Sequence, residues 1–104
     1  MYANGRGVPQ DDIEAVRWYR LAADQGIAVA QITLGLMYGT GRGVPQDDVQ
    51  AHMWFNLAAS RMTGEDRERA VRGRDIAADE LTPDALNEAH RLVREWDAAH
   101  PREP

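Results

Sequence analysis

The octet Gly-Arg-Gly-Val-Pro-Gln-Asp-Asp occurs twice in this chain of 104 residues, at 5–12 and again at 41–48. Its two prolines, Pro9 and Pro45, lie 36 residues apart, and the agreement continues on both sides of the octet. Further matches at this offset are Met1 with Met37, Tyr2 with Tyr38, Ala15 with Ala51, Trp18 with Trp54, and Leu-Ala-Ala at 21–23 with 57–59. A repeat of this length is typical of one helix pair with its turns and is too short for a domain. The sequence therefore predicts an array of helix pairs.

Turn and cap residues mark where the helices of each copy begin and end. Glycine permits the positive φ of a helix end and proline prevents its continuation, so the octet is predicted to be a turn. The acid pairs Asp11-Asp12 and Asp47-Asp48 then supply a cap and a first-turn charge for the next helix. These signals predict helices over residues 12–25, 28–38 and 48–61.

The helix predicted over 28–38 is apolar on most sides, which is typical of a helix packed between neighbours. One apolar stripe contains Ile27, Ala30, Leu34 and Tyr38, and the other contains Val29, Ile32 and Leu36. Gly35 lies inside this helix, where glycine is less favourable than alanine by about 1 kcal/mol. We therefore expect another helix to approach closely there, with Trp18 or Trp54 filling the space beside the glycine.

The repeat pattern ends after Met62, whereas the helical periodicity continues to the C-terminus. Thr63 with Asp66 resembles a capping box, and Thr82 followed by Pro83 is a strong helix start. A stripe of small residues is predicted on the first of these helices, formed by Ala70, Gly73, Ala77 and Leu81. The sequence thus predicts one helical-repeat domain over 1–97, followed by a frayed tail over 98–104. Within the domain, 1–26 is a partial repeat, 27–62 a full repeat and 63–97 a degenerate capping pair.

Composition excludes several classes of function. The chain has no cysteine, which removes disulfides, thiol nucleophiles and cysteine-ligated zinc. Its formal net charge of −5 argues against nucleic-acid binding, because that requires cations to displace phosphate counterions. No apolar run is long enough for membrane insertion. Met1 aligns with Met37 inside a repeat, so the chain is expected to begin within a unit, and the sequence does not specify a compartment.

The spaced residues of the second copy resemble the Sel1-like repeat, a relative of the tetratricopeptide repeat. The residues that carry this resemblance are Ala30-Gln31, Leu34-Gly35, Tyr38, Gly41, Gly43-Val44, Asp47, Ala51, Trp54-Phe55 and Ala58-Ala59. The resemblance covers residues 1–59 well, and the end of the chain looks like the finish of many bacterial members. It implies an all-α, right-handed solenoid of about two and a half helix pairs. It also implies a non-catalytic adaptor or scaffold module that binds a protein or peptide.

The resemblance further implies where a partner would bind. In solenoids of helix pairs the first helix of each pair lines the concave side, and its outward residues touch ligands. The partner-binding residues predicted in this way are Thr33, Met37, Arg67, Arg72 and Arg74. The arginines are interleaved with acids at helical spacing, so a solvated charged surface is the favoured interpretation of that helix and an acidic-peptide site is the alternative.

A second interpretation is self-association. Trp18 and Trp54 are expected in the core, where they would join one helix pair to the next. A chain that begins within a repeat lacks the helix that covers Trp18 and Tyr19, however, and a large exposed apolar surface is unfavourable. These two residues are therefore the predicted site of homo-oligomerisation, by symmetric pairing or by helix exchange.

Catalytic, phosphate and metal sites are not indicated. The Gly-Arg-Gly turns lack the spacing of phosphate-binding loops, and the acid pairs that follow would repel an anion. As helix caps the acids need no cation, so no metal or cofactor is predicted. His52, His90 and His100 show no metal-binding spacing, and His52 is expected to be partly exposed because Val16 is its equivalent. A small hydrolase using His52 or Asp48 remains a third interpretation, although enzyme-associated relatives are rich in cysteine.

Overall fold

The chain forms five helices and, within the part that the structure describes, no strand. The structure is a computed structural model that describes residues 8–101, and of residues 8–10 it describes the backbone alone. The helices are α1 (Val8–Asp24), α2 (Ala28–Thr40), α3 (Asp48–Ala59), α4 (Gly64–Asp79) and α5 (Pro83–Ala99). The all-α helical solenoid predicted from the repeat is confirmed. None of the described helices is both long enough and apolar enough to span a membrane.

Helix α3 lies at the centre of the array and packs against α2, α4 and α5, while α1 packs against α2. The Phe55 ring of α3 lies between two glycines of the flanking helices. A Cβ placed on Gly35 of α2 would be 3.1 Å from this ring, and one placed on Gly73 of α4 would be 2.6 Å from it. The close approach predicted at Gly35 is therefore present, but the prediction that a tryptophan fills the space is wrong. The small-residue stripe of α4 has the same cause, and its Ala70 and Ala77 are buried.

Two helices begin as their cap residues predict, and two do not. Asp47 caps α3 by accepting a hydrogen bond from Gln50 N at 3.1 Å, and Thr82 caps α5 by accepting one from Ala85 N at 3.1 Å. Thr63 precedes α4 but its side chain accepts no capping hydrogen bond, so the predicted capping box is absent. Helix α1 begins at Val8 rather than near Asp12, because a proline in the first turn needs no hydrogen-bonded N–H.

At the C-terminus, α5 continues through Ala98 and Ala99, two residues that the sequence places in the tail. His100 follows the helix and stacks on Trp96 with 3.9 Å between the ring centroids. The predicted final turn of a helix at 1–4 and the last tail residues, 102–104, lie outside the described residues.

The two equivalent tryptophans have opposite environments. Trp54 is buried in the core and meets Trp96 edge to face, with 6.3 Å between the ring centroids. Trp18 is 70% exposed, so the prediction that both tryptophans lie in the core is wrong for this one. Of the first predicted stripe, Ala30, Leu34 and Tyr38 are buried along α2, whereas Ile27, which precedes the helix, is 49% exposed. The other stripe is not buried as a whole, because Val29 and Leu36 are exposed although Ile32 between them is buried.

Candidate binding groove

A groove runs between α2 and α4, with α3 as its floor. We call it the α2–α4 groove, and it encloses about 330 Å³. Its lining consists of Gly35, Leu36, Gly39 and Thr40 from α2, Gln46 from the following turn, Asp48, Ala51 and Phe55 from α3, and Gly73, Ile76, Ala77 and Glu80 from α4 and its end. This volume lies at the lower end of the range of about 300 to 1,000 Å³ for small-molecule pockets. It suits one or two side chains of a partner better than a large cofactor.

The middle of the α2–α4 groove is apolar. Phe55 forms the floor, and its ring is packed between the two flanking glycines so that only 5% of the residue is exposed. The walls are formed by Leu36, which is 51% exposed, and by Ile76, which is 68% exposed. Large apolar side chains that project from both walls of a concavity are a feature of binding surfaces, whereas single exposed apolar residues are common everywhere.

One end of the α2–α4 groove is acidic. Because α3 runs antiparallel to α2 and α4, the start of α3 lies beside the ends of both neighbours, which brings Asp48 and Glu80 to the same end. The C-terminal carbonyls of α2 and α4 add partial negative charge there. The positive N-terminus of α3 also lies at this end, and Asp47 and Asp48 offset it. Among the described residues, neither Asp48 nor Glu80 forms an ion pair, and no cation lines the groove.

A second groove, on α1, is the repeat equivalent of the first. Its floor contains Asp12, Ala15 and Tyr19, which lie 36 residues before Asp48, Ala51 and Phe55. In this α1 groove the acid is already paired, because Arg42 donates to the Asp12 carboxylate at 2.8 Å and 3.4 Å. The last position of the octet predicts that Asp12 caps a helix. Asp12 is instead buried and forms an ion pair with Arg42 of the next turn.

The turn between α2 and α3 explains why the octet contains glycines. Gly41 and Gly43 both have positive φ, of 75° and 74°. A Cβ on Gly43 would lie 2.5 Å from the backbone oxygen of Asp12, so the turn packs directly on α1. Since the Arg42 guanidinium between these glycines contacts a carboxylate, the turn serves here as a contact between two helix pairs.

The predicted partner-binding residues do not form one cluster. Thr33 and Met37 both line the α1 groove. Met37 is only 6% exposed, because most of its side chain packs into the core. The Thr33 hydroxyl donates to the carbonyl oxygen of Val29 within the same helix, at 3.0 Å. These two residues therefore lie beside a concavity, although neither is a prominent surface contact.

The three predicted arginines point in different directions from α4. Arg72 is exposed and lies one turn before Ile76, on the same face of the helix. Residues two apart on a helix are on nearly opposite faces, so Arg74 lies away from Arg72, and Arg67 lies near Arg74. Arg74 is half-buried and forms an ion pair with Asp75 at 3.4 Å. None of the three lines the α2–α4 groove.

The residues of the groove that the sequence prediction missed are Leu36, Ile76, Asp48 and Glu80. Two signals point to them. Leu36 follows Thr33 at the i+3 spacing and Ile76 follows Arg72 at the i+4 spacing, so each shares a helix face with a residue that was chosen. The first copy of the repeat also has its acid in the same place. No sequence pattern indicates that Phe55 lies between the two helices that form these walls.

The prediction that His52 is partly exposed is wrong, because it is buried between α3 and its neighbours. Its ring meets that of His90 edge to face, with 5.3 Å between centroids, and its Nδ1 has no hydrogen-bond partner among the described residues. Burial lowers the pKa of His52 to about 4, and the nearby His90 and Arg74 act in the same direction. In the described part of the chain, no three histidine or acidic side chains lie close enough together to hold a metal ion.

Comparisons with known proteins agree on one family. A family model of the Sel1 repeat matches residues 1–27 and 28–61. Among solved structures, the chain is similar to a protective antigen of uropathogenic Escherichia coli that displays an SLR fold, with 35% identity and a TM-score of 0.78. The alignment covers 90% of this chain and 20% of the antigen chain, so the chain spans about a fifth of that protein. A comparison with curated proteins finds no match.

Proposed function

Because the chain belongs to the Sel1 repeat family, whose members are generally protein-interaction modules, we propose that it is a non-catalytic scaffold that binds a protein segment in the α2–α4 groove. The observation that carries this proposal is the pair of exposed apolar side chains, Leu36 and Ile76, above the Phe55 floor. Thr33 and Arg72 would extend the same concave surface beyond the groove. Met37, Arg67 and Arg74, which the family resemblance also suggested, would contribute less because of their positions.

Burial of apolar area is the main source of binding free energy that this groove offers. Leu36 and Ile76 form the accessible part of this surface, so a partner's side chain would contact both walls and the small exposed part of Phe55 between them. A rigid floor favours affinity, because little conformational entropy is lost when a partner binds to preformed walls. Short interfaces of this kind are generally weak and transient, as many scaffold contacts are.

The groove assignment can be tested by selecting peptides from a random display library on the immobilised chain. The variant Leu36→Glu with Ile76→Glu places charge on both walls and should abolish enrichment of the selected peptides. The matched control is Ile13→Glu with Leu21→Glu, since these residues are 44% and 56% exposed and lie on α1 outside the groove. Equal binding to both double variants would contradict the groove assignment. No enrichment over uncoated support would contradict peptide binding itself.

Self-association is a second candidate, favoured by the exposed Trp18. The neighbouring Tyr19 and Leu21 are also exposed, so α1 presents several large apolar side chains to solvent. A second copy of the chain is the occupant that would cover such a surface symmetrically. This candidate does not compete with the groove, because Trp18 does not line it.

A further inference from the structure

We propose that the α2–α4 groove selects a partner segment in which an arginine adjoins a bulky apolar residue. The apolar side chain lies over Phe55, and the guanidinium lies against Asp48 and Glu80. This inference rests on the proposed function and specifies the chemistry of its partner. Three features of the molecule support it: the Arg42–Asp12 contact in the α1 groove, the two acids that line the α2–α4 groove, and the apolar residues between them.

The precedent is the α1 groove, where the chain itself places a guanidinium on the equivalent acid. Arg42 donates to both oxygens of Asp12, at 2.8 Å and 3.4 Å. Asp12 and Asp48 occupy the same position of the repeat, at the same end of the same kind of groove. The fold therefore accommodates an arginine at this end without rearrangement, and a two-point contact is within reach of the carboxylate.

The α2–α4 groove lacks the arginine that neutralises the first acid. Glu80, which ends α4, lines this groove together with Asp48. Two carboxylates therefore line this groove, and none of its described lining residues is cationic. A cationic ligand there interacts favourably with both carboxylates.

The apolar part of the groove fixes where the neighbouring side chain lies. Phe55, Leu36 and Ile76 form a surface large enough for one aliphatic or aromatic side chain beside the acidic end. Arginine is favoured over lysine, because its planar guanidinium binds carboxylates with two parallel hydrogen bonds and stacks on apolar surface. A cationic residue alone would bind weakly, since exposed ion pairs contribute about 0.2 to 1 kcal/mol.

The test uses capped pentapeptides and two-dimensional amide NMR of the isotopically labelled chain. The probe is Gly-Arg-Leu-Arg-Gly, with arginine on both sides of leucine so that either direction of binding is sampled. Citrulline in place of both arginines keeps the shape and removes the charge, glutamate reverses the charge, and glycine in place of leucine removes the apolar side chain. We expect the probe to shift the amide signals of Leu36, Phe55 and Ile76, and each changed peptide to bind several-fold more weakly.

Variants of the acidic end complete the test. Glu80→Gln should weaken the probe about two- to fivefold, as expected for a partly exposed ion pair. Glu80→Arg replaces an acid of the groove lining by a cation and should abolish charge selection. Glu68→Gln is the control, because it removes the same charge from α4 about 18 Å away, beyond the Debye length of about 10 Å. It should leave the affinity unchanged.

Three outcomes would overturn the inference. Equal shifts of the groove signals by the arginine and citrulline peptides would leave peptide binding in place and refute selection by charge. Stronger binding of the glutamate peptide, lost in Arg72→Gln, would assign recognition to the arginines of α4 instead. If no peptide moves the groove signals, the inference fails. The display selection described above then decides separately whether the chain binds other segments.

Discussion

Phe55 is the residue that sets the spacing of the array. Its ring lies between Gly35 and Gly73, so two helices approach α3 as closely as their backbones permit. The ring cannot move away from one helix without approaching the other. Small residues at these two positions are thus a requirement of packing, even though glycine weakens the interior of a helix.

Gly73→Ala is predicted to destabilise the fold. The new Cβ would lie 2.6 Å from Cε1 of Phe55, and overpacking of this kind costs about 1 to 3 kcal/mol, which outweighs the gain in helix propensity. Gly39→Ala is the matched control, since its Cβ would lie at an ordinary 3.8 Å from Ala51 and the helix propensity gain should remain. Urea unfolding measures both, and a Gly73→Ala chain as stable as the parent would contradict the packing argument.

His52 is predicted to make the stability of the fold depend on pH. The folded-state pKa of about 4 lies below the ordinary value of 6.5, so between these values the unfolded chain binds more protons than the folded chain. Stability from this group is complete above pH 6.5 and is lost as the pH falls toward 4. The loss amounts to about 3 kcal/mol, since one pKa unit corresponds to about 1.4 kcal/mol.

The variant His52→Val isolates this effect, because the equivalent Val16 shows that the site accepts valine. Denaturant unfolding at several pH values should give a smaller decline in stability for the variant between pH 6.5 and 4. Carboxylates titrate in both proteins, so the difference between the two curves belongs to His52. Curves that run parallel would refute the assignment.

At this scale, the sequence predicts that a close approach occurs but not which side chain makes it. Trp54 and Phe55 are neighbours on α3 and point about 100° apart, so the choice between them depends on which side of α3 meets α2. Periodicity does not determine that rotation. His52 is buried, and so is its repeat equivalent Val16, although the two side chains differ in polarity. A histidine opposite a valine therefore does not indicate an exposed position.

Among the helices, residues that the sequence predicts as caps do not all form a capping hydrogen bond. Thr82 accepts a hydrogen bond from Ala85 N and Pro83 is in the first turn of α5. Thr63 stands in the same position before α4, without a side-chain hydrogen bond to the helix. The two threonines therefore offer a matched comparison of a formed and an unformed cap.

Thr82→Ala is predicted to destabilise the chain by about 1 kcal/mol, whereas Thr63→Ala should change stability little. A loss of this size corresponds to a fall in melting temperature of about 4 to 8 °C for a chain of this length. Circular dichroism during heating measures the difference. Equal effects of the two substitutions would show that the hydroxyl of Thr82 contributes nothing beyond that of Thr63.

The helices themselves follow from the sequence because turn chemistry marks their ends. The starts of α2, α3 and α5 agree closely with prediction, since Gly26, Asp47 and Thr82 are unambiguous signals. The start of α1 does not, because α1 begins at Val8 inside its octet, whereas α3 begins at Asp48, the last residue of an identical octet. A proline in the first turn is compatible with the earlier start.

At the scale of the whole molecule, α1 leaves its apolar side uncovered among the described residues. Trp18 is predicted to mediate self-association, so sedimentation velocity at micromolar concentration should show species larger than a monomer. Trp18→Glu should shift the distribution to monomer. Ile76→Glu should not, although Ile76 is as exposed, at 68% against 70% for Trp18. A monomeric parent chain, or equal behaviour of both variants, would refute this prediction.

The α2–α4 groove is formed by helices that are distant in the sequence, which explains why the sequence only partly predicts it. Its walls are Leu36 of α2 and Ile76 of α4, which lie 40 residues apart in the sequence, and no repeated sequence pattern relates them. The acidic end depends on Glu80, which has no acidic counterpart in the earlier repeat, since the residue 36 positions before it is Val44. The repeat pattern therefore does not indicate that Glu80 lines the same groove as Asp48.

The contact between Arg42 and Asp12 joins the second octet to the first. Each octet carries an arginine and ends in an aspartate. One octet therefore supplies an arginine that can pair with the preceding repeat unit and an aspartate that can pair with the following one. A gene duplication that inserts another 36-residue unit would therefore also insert the arginine and the aspartate that make this contact. Lengthening of such a protein requires no newly evolved interface, and the near-identity of the octets is what that mode of growth demands.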